Sequence, residues 1–263
     1  NSPLALALSP LALVWGRGAT YRMTRKPVLS PQVPVLCVGN FIVGGAGKTP
    51  TAIEIARAVT ARGLAPGFLS RGHGGRIGGA AIVDLSRHQA QDVGEEPLLL
   101  AREAMTVVSA DRPRGAEMLI AKGCNFIIMD DGFQNPSLAK DYSLLVVDAR
   151  RGLGNGWVMP AGPLRAPLGA QLAQASAVLV IGDAPGADRI IRQTARRGKP
   201  VYLARIVPAS TEGWEGRWFL AFAGIGDPEK FFLTLREAGA EIFDPRSFGD
   251  HHHYTEDEAR EIV

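Results

Sequence analysis

Apolar, strand-like runs alternate with helical patterns from residue 33 to about residue 206, which predicts an α/β protein with a mainly parallel sheet and helices on both faces. Two observations sharpen this. A glycine-rich octet, Ile42-Val-Gly-Gly-Ala-Gly-Lys-Thr49, sits between a predicted strand and a predicted helix. An acid pair, Asp130-Asp131, ends another apolar run. After a composition shift around Pro208–Gly216, a second and smaller α/β unit is expected.

Taken in order, strands are expected near 33–38, 66–70, 80–84, 106–109, 125–130, 143–148, 177–181 and 200–206. Helices are expected over 50–62, 95–104, 113–122 and 186–197. A Gly- and Pro-rich stretch from Arg150 to Gln171 reads as one long loop, and loops of that length in compact domains tend to be functional or disordered. The second unit reads as strand 217–223, helix 229–238 and strand 240–243. Asp227-Pro228 supplies the helix start, Asp as N-cap and Pro at the first helical position. The sequence stops inside the opening of another helix, so this unit reads as incomplete. No internal repeat is present.

With 263 residues, 46% apolar and 21% charged, the chain can bury a sizeable core and is not wholesale disordered. A net charge of +3 is too small to argue for nucleic acid, and none is expected as a partner. The charge is unevenly placed: Arg17, Arg22, Arg25, Lys26 and Lys48 all precede Glu54, the first acidic residue. Cys37 and Cys124 each lie within an apolar run and read as buried thiols of a reducing compartment. Residues Leu4–Trp15 are apolar but only 12 in number and interrupted by Pro10, too short to span a bilayer. They fit either a docked terminal helix or an interfacial segment whose basic flank meets anionic lipid.

The octet is where chemistry is most legible. Glycines allow backbone N–H groups to approach phosphate oxygens at the positive end of a helix, Lys48 reaches the terminal phosphates, and Thr49 ligates Mg²⁺. The usual pattern has Gly where Ile42 stands, five residues before Gly47. Nucleotide contact is therefore assigned to Ile42, Val43, Gly44, Gly45, Ala46, Gly47, Lys48 and Thr49. Carboxylates at the C-terminal end of a parallel strand face the ligand crevice, so Asp130 and Asp131 are expected to hold Mg²⁺ directly or through water. Asp148 ends a second such strand and is either a competing metal-side carboxylate or a turn-former. Ser70 and Arg71, in a Gly-rich loop, and Arg112, at a helix start, are candidates for contacting substrate or transferred phosphate. Glu95 and Glu96 open a helix, where acidic residues are common for dipole reasons. Asp250-His-His-His253 reads either as an exposed polar loop or as the seat of a general base.

Several motifs together resemble one family. They are Val38-Gly-Asn-Phe-Ile-Val-Gly-Gly-Ala-Gly-Lys-Thr-Pro50, Leu69-Ser-Arg-Gly-His-Gly-Gly75, Gly94-Glu-Glu-Pro-Leu-Leu-Leu100, Asp130-Asp-Gly-Phe-Gln134, Gly154-Asn-Gly156, Pro160-Ala-Gly-Pro-Leu-Arg165 and Phe248-Gly-Asp-His-His-His253. Their order and spacing resemble the tetraacyldisaccharide 4′-kinases, the lipid A 4′-kinases of Gram-negative bacteria. The resemblance implies a P-loop NTPase-like core and a smaller C-terminal domain that closes over the site, and a Gly-Gly-x-Gly-Lys-Thr loop that accounts for Ile42. It implies Mg²⁺-dependent transfer of phosphate from ATP to the 4′-hydroxyl of a tetraacylated glucosamine disaccharide 1-phosphate. The enzyme would be a peripheral monomer at the cytoplasmic face of the inner membrane.

Residue by residue, the resemblance gives Lys48 the ATP phosphates and gives Mg²⁺ to Thr49, Asp130 and Asp131. His251 would pair with the carboxylate of Glu95 to take the proton from the sugar hydroxyl, and Gln134 and Asn155 join the substrate contacts. It divides the chain into a membrane-associating segment 1–26, a kinase core 27–207, and a linker with an incomplete C-terminal domain 208–263. With a four-chain lipid as substrate, Leu4–Trp15 and the four basic residues after it read as membrane-associating.

Two departures stand out. The family usually has Asp at Glu95, and the extra methylene moves the carboxylate by about 1 Å, a displacement that can cost on the order of 10²-fold in rate. Either the backbone compensates or the base is impaired. The family also usually has His at Asn135, which can hydrogen-bond but cannot relay a proton. Two other readings remain: a P-loop GTPase or ATPase switch of the metallochaperone type, and a nucleotide-binding relative without catalysis.

Overall fold

The structure is a computed structural model and describes residues 2–208, 210–249, 252 and 254–262. The chain forms two compact units, Asn1–Ala204 and Arg205–Val263.

In the first unit, helices α1 (Pro3–Ala7) and α2 (Ser9–Met23) lead into β1 (Val35–Asn40) and α3 (Lys48–Thr60). Then come β2 (Pro66–Ser70), β3 (Ala81–Ile82), α4 (Ala90–Val93), α5 (Glu95–Ala101), β4 (Met105–Val108) and α6 (Arg112–Ala121). The unit closes with β5 (Phe126–Asp130), β6 (Tyr142–Asp148), α7 (Leu168–Gln174), β7 (Ala177–Ile181), α8 (Asp188–Ala195) and β8 (Val201–Ala204). The eight strands form one sheet in the order β3-β4-β2-β5-β1-β6-β7-β8, parallel throughout except for the short β3–β4 pair.

Both faces are covered, as a parallel sheet requires. Alternation along each strand sends neighbours to opposite cores. Cys37, Leu69, Ile127 and Leu145 pack on the side of α2, α6, α7 and α8, while Val38, Phe68, Ile128 and Val146 pack on the side of α3 and α5. The sheet is tightly packed at Gly67 of β2, where a Cβ would lie 2.7 Å from the Cys124 sulfur and 2.8 Å from a Leu119 methyl. Both cysteines are buried free thiols, and burial pushes Cys37 up to about 12.

Most expected elements form, with instructive shifts. Strand β1 starts after Pro34 and runs on to Asn40, because Gly39 and Asn40 still pair with Leu145 and Val146 of β6. The expected 80–84 strand shrinks to two residues at the sheet edge. The Arg150–Gln171 stretch contains no strand but ends in α7, a helix that its glycines and prolines conceal.

Residues 3–23 are helical, and both readings of the N-terminus have a face. Ala12, Gly16, Ala19 and Met23 recur at helical spacing and turn inward, with a Cβ at Gly16 only 3.2 Å from Pro167. The Trp15 indole donates to the Arg165 carbonyl at 3.3 Å and the Gln174 amide to the Met23 carbonyl at 3.0 Å. Leu4, Leu6, Leu11, Leu13, Val14 and Tyr21 stay exposed. Among the described residues no helix is long and apolar enough to cross a membrane.

The second unit is a β-α-β arrangement: β9 (Trp218–Ala223), α9 (Pro228–Glu237) and a parallel β10 (Glu241–Ser247), followed by α10 (Glu256–Ile262). Asp227 caps α9 by accepting from the Lys230 N–H at 3.1 Å, with Pro228 at the first helical position as expected.

Gly67→Ala tests how tightly the central sheet is packed. Urea denaturation should show a loss of about 1–3 kcal/mol, the usual cost of overpacking. An unchanged midpoint would mean that Cys124 and Leu119 yield freely.

Candidate active site

Strands β1, β5 and β6 lie side by side, so their C-terminal ends bring Asn40, Asp130 and Asp148 to one rim of the sheet. Open α/β sheets bind ligands at this rim. The octet occupies it between β1 and α3.

Its first half is not a sharp turn. Ile42 forms a β-bridge with Leu164, its side chain is buried, and the Val43 N–H donates to the Pro163 carbonyl at 2.9 Å. Ile42 stands where Gly is usual because this backbone is extended and braced by residues 163–165. Glycine is needed farther on. Gly44 and Gly47 have φ of +97° and +84°, and a Cβ on Gly47 would strike the Ile181 side chain at 2.6 Å. The Asn40 amide donates to the Gly44 carbonyl at 3.0 Å and holds the loop's crest. Among the described residues, no protein acceptor takes the backbone N–H groups of Gly44 to Thr49. That leaves a nest of amides at a helix N-terminus, suited to an anion.

Lys48 is the first residue of α3 and turns inward. It is 6% exposed, with its ammonium 3.7 Å from Asp131. Asp131 has φ +50°, the one positive value on a non-glycine among the described residues, and its N–H donates to the Val38 carbonyl at 3.0 Å. Arg165 grips the same carboxylate in a fork, at 2.6 and 2.9 Å. Burial works to raise the Asp131 pKa, but Lys48 and Arg165 outweigh it and hold the carboxylate below its ordinary value. The guanidinium of Arg165 also reaches the Ile42 carbonyl (3.1 Å) and Gln134 (3.3 Å). Gln134 in turn donates to the Asn40 carbonyl at 3.0 Å and to buried Gln171 at 3.1 Å.

Asp130, the neighbouring carboxylate, behaves oppositely. It is 1% exposed and neither oxygen has a hydrogen-bond partner. Burial pushes its pKa up to about 7, with the negative charges of Glu96 and Asp131 adding and Lys48 and Arg112 opposing. An orphaned buried carboxylate beside a phosphate-type loop fits a divalent cation, which would supply the missing partner. Asp130, Asp131 and Thr49 offer the oxygen donors that Mg²⁺ prefers.

The remaining sequence candidates divide. Arg112 is 2% exposed; one guanidinium nitrogen donates to the Ser109 carbonyl and reaches the Ser70 carbonyl at 3.5 Å, while Nε has no partner. Burial and the charge of Arg71 lower its pKa. Ser70 is buried at the end of β2, and Arg71 is exposed beside it. Asn155 spends its amide inside its own loop, donating to the Ala161 carbonyl (2.9 Å) and accepting from the Trp157 N–H (3.0 Å), and so braces that loop. Asp148 forms a turn, one oxygen accepting from the N–H groups of Arg150 and Arg151 at 2.9 and 3.2 Å. Asn135 accepts from the N–H and hydroxyl of Ser137 at 2.8 and 2.7 Å, an Asx turn in place of any proton relay. Glu95 and Glu96 are both exposed in the first turn of α5. His251, Asp250 and His253 lie outside the described residues.

Three participants were not singled out by spacing. Arg165 and Gln171 reach the site from a segment more than 30 residues beyond the acid pair, and no local pattern announces that return. Glu96, next to Glu95 at the head of α5, adds its charge on Asp130. Adjacent helical residues point about 100° apart, and the sequence does not say which one faces the strand ends.

Asp130 yields a pH test. Its folded pKa of about 7 lies above the ordinary 3.8, so between those values the folded protein keeps a proton that the unfolded chain has lost. Without divalent metal, stability should fall as pH rises from about 4 to about 7 and level off above. Asp130→Asn should abolish this slope, with melting temperatures of the two proteins diverging only across that window. A constant difference from pH 4 to 8 would show that the carboxyl stays ionised throughout.

A family model described as tetraacyldisaccharide-1-P 4′-kinase matches residues 4–263. The tetraacyldisaccharide 4′-kinases of Sinorhizobium fredii and Rhizobium meliloti are each 54% identical over 259 residues, covering 98% of this chain and 75% of theirs. That of Brucella ovis is 53% identical over 98% of this chain and 76% of its own length. Among solved structures, the "apo" form of LpxK from Aquifex aeolicus in complex with ATP has a TM-score of 0.76 at 26% identity, covering 96% of this chain and 84% of that one. These matches leave no support for a metallochaperone-type switch, and a P-loop rim, a buried lysine and an acid pair agree with them: the chain belongs to the tetraacyldisaccharide-1-P 4′-kinase family.

Proposed function

We propose that this protein transfers the γ-phosphoryl group of ATP to the 4′-hydroxyl of a tetraacylated glucosamine disaccharide 1-phosphate in lipid A biosynthesis. One observation carries the reading. Lys48 is buried at the head of α3 against Asp131, beside Asp130 with both oxygens unpartnered.

In the transfer, the bond from the γ-phosphorus to the β–γ bridging oxygen breaks as a bond from the sugar 4′-oxygen forms. The hydroxyl proton leaves to a base and ADP departs. Little covalent chemistry falls to the protein, so positioning and charge dominate. The amides of Gly44–Thr49 and the Lys48 ammonium bind the polyphosphate. Thr49, Asp130 and Asp131 would hold Mg²⁺, which when bound would neutralise charge on the transferring phosphates. Arg165 keeps Asp131 ionised and turned toward Lys48. Glu95, at the head of α5, takes the base role with His251.

The substrate carries four acyl chains and stays in a bilayer, so the enzyme must work at its surface. The outer face of α1 and α2, with Leu11, Leu13 and Val14 exposed beside Arg17 and Arg22, supports peripheral attachment to an anionic membrane, assigned here to the cytoplasmic face of the inner membrane.

Incubation with γ-labelled ATP and the lipid disaccharide should move label onto the lipid, and Lys48→Ala should abolish that transfer. ATP hydrolysis with no label on lipid would overturn the assignment. Glu95→Asp should preserve or raise the rate if Glu95 is the base; no effect there, together with an inert Glu95→Ala, removes it from that role. For the membrane contact, Leu11→Glu with Leu13→Glu changes only the outer face of α2. Co-sedimentation with anionic vesicles should drop severalfold, and undiminished sedimentation refutes the contact.

A further inference from the structure

Strand β6 ends in a turn that is rigid for visible reasons. The Asp148 side chain accepts from the N–H groups of Arg150 and Arg151, and its carbonyl accepts from the Gly152 N–H at 2.8 Å. Gly152 has φ +54°, and a Cβ there would lie 2.1 Å from the Gly186 carbonyl oxygen. One on Gly186 would lie 2.5 Å from the Ala149 carbonyl oxygen. The backbone is therefore packed directly on backbone, and the position from which Arg151 departs is fixed.

From that turn the Arg151 side chain reaches the glycine-rich loop, 106 residues away in sequence, and donates to the Gly45 carbonyl at 3.3 Å. Its head lies against Gly44, where a Cβ would come within 3.2 and 3.4 Å of the two terminal guanidinium nitrogens. Gly44 is needed for its φ of +97°, and the guanidinium rests beside its bare Cα. The bond to Gly45 is long and goes to a neutral carbonyl. Among the described residues no carboxylate neutralises Arg151, whereas Lys48 already shares Asp131. An unneutralised guanidinium with several donors unspent, held over amides that lack protein acceptors, is suited to multiply charged phosphate oxygens.

We propose that Arg151 is a catalytic arginine supplied in cis. It leaves the Gly45 carbonyl when nucleotide binds and donates to the oxygens of the transferring γ-phosphoryl group. This inference rests on the kinase reading. It gives the chain a second cation at the phosphates, on the same rim as Asp131 but on the other side of β1: Lys48 acts from the helix and Arg151 from the turn after β6. Charge on the phosphoryl oxygens and the departing β-oxygen changes most in the transition state, so a guanidinium there acts mainly on kcat.

The test compares wild type, Arg151→Ala, Arg151→Lys and Lys48→Ala. Calorimetry without lipid measures the affinity for ADP and for ADP with aluminium fluoride, a mimic of the transferring group, and label transfer to lipid measures kcat and KM. Arg151→Ala should keep ADP affinity within about threefold, lose at least about 100-fold in aluminium fluoride-dependent tightening, and lose kcat by a similar factor, as arginine fingers do. Arg151→Lys, with the charge but not the fork, should fall between. Equal weakening of both complexes, or a kcat for Arg151→Ala within about fivefold of wild type, overturns the inference. In either case a dead Lys48→Ala leaves the kinase reading standing, whereas an active Lys48→Ala removes both. If Arg151→Ala melts far below wild type, the comparison rests on Arg151→Lys, whose retention of full tightening overturns the proposal by itself.

Discussion

The carboxylate of Asp131 is shared between Lys48 and Arg165, and the arrangement of the site depends on that sharing. It links three segments distant in sequence: the helix after the glycine loop, the end of the central strand β5, and the Pro-rich segment before α7. Each would be costly to leave alone. A buried ammonium or guanidinium without its counter-charge loses several kcal/mol of solvation, so the carboxylate holds both cations in place. Asp131 adopts a left-handed backbone to present it, and the Val38 carbonyl secures that backbone. Through Arg165 and Gln134 the same network fixes the carbonyls of Asn40 and Ile42, which set the entry to the loop.

Asp130 and Asp131 show how one residue step separates two roles. Asp131 is 30% exposed and lies among cations, which keeps it ionised. Asp130 ends the strand inside the sheet, without donors, facing the negative charge of Glu96. One carboxylate is held charged by protein cations and the other has no hydrogen-bond donor on either oxygen. Environment alone thus drives the pKa values of adjacent acids apart, as is usual where charges cluster at functional sites.

The N-terminal helix is coupled to the same centre. Trp15 donates to the carbonyl of Arg165 itself, and Gly16 packs on Pro167, so the helix with the exposed apolar face docks on the segment that supplies the guanidinium to Asp131. The exposed apolar face and the brace of the glycine-rich loop are therefore built on neighbouring backbone in the first unit.

The sequence by itself determined what depends on local periodicity and local chemistry. Alternating apolar runs placed the strands, the Gly-Lys-Thr end of the octet placed a phosphate loop before a helix, and Asp227-Pro228 placed a cap that forms as read. It could not show why Ile42 is tolerated, because the brace comes from Leu164, more than 100 residues on. It read Asn155 as a substrate contact and left Asp148 open, whereas in the tertiary structure both side chains hydrogen-bond within their own turns. The roles of Arg165, Gln171 and Glu96 were not legible for the same reason: each acts across the sheet rim, where strand order and not sequence distance sets the neighbours. Local patterns encode the elements because their hydrogen bonds and burial close over a few residues. The charges of the site balance only once β1, β5 and β6 lie side by side, and that is a property of the assembled sheet.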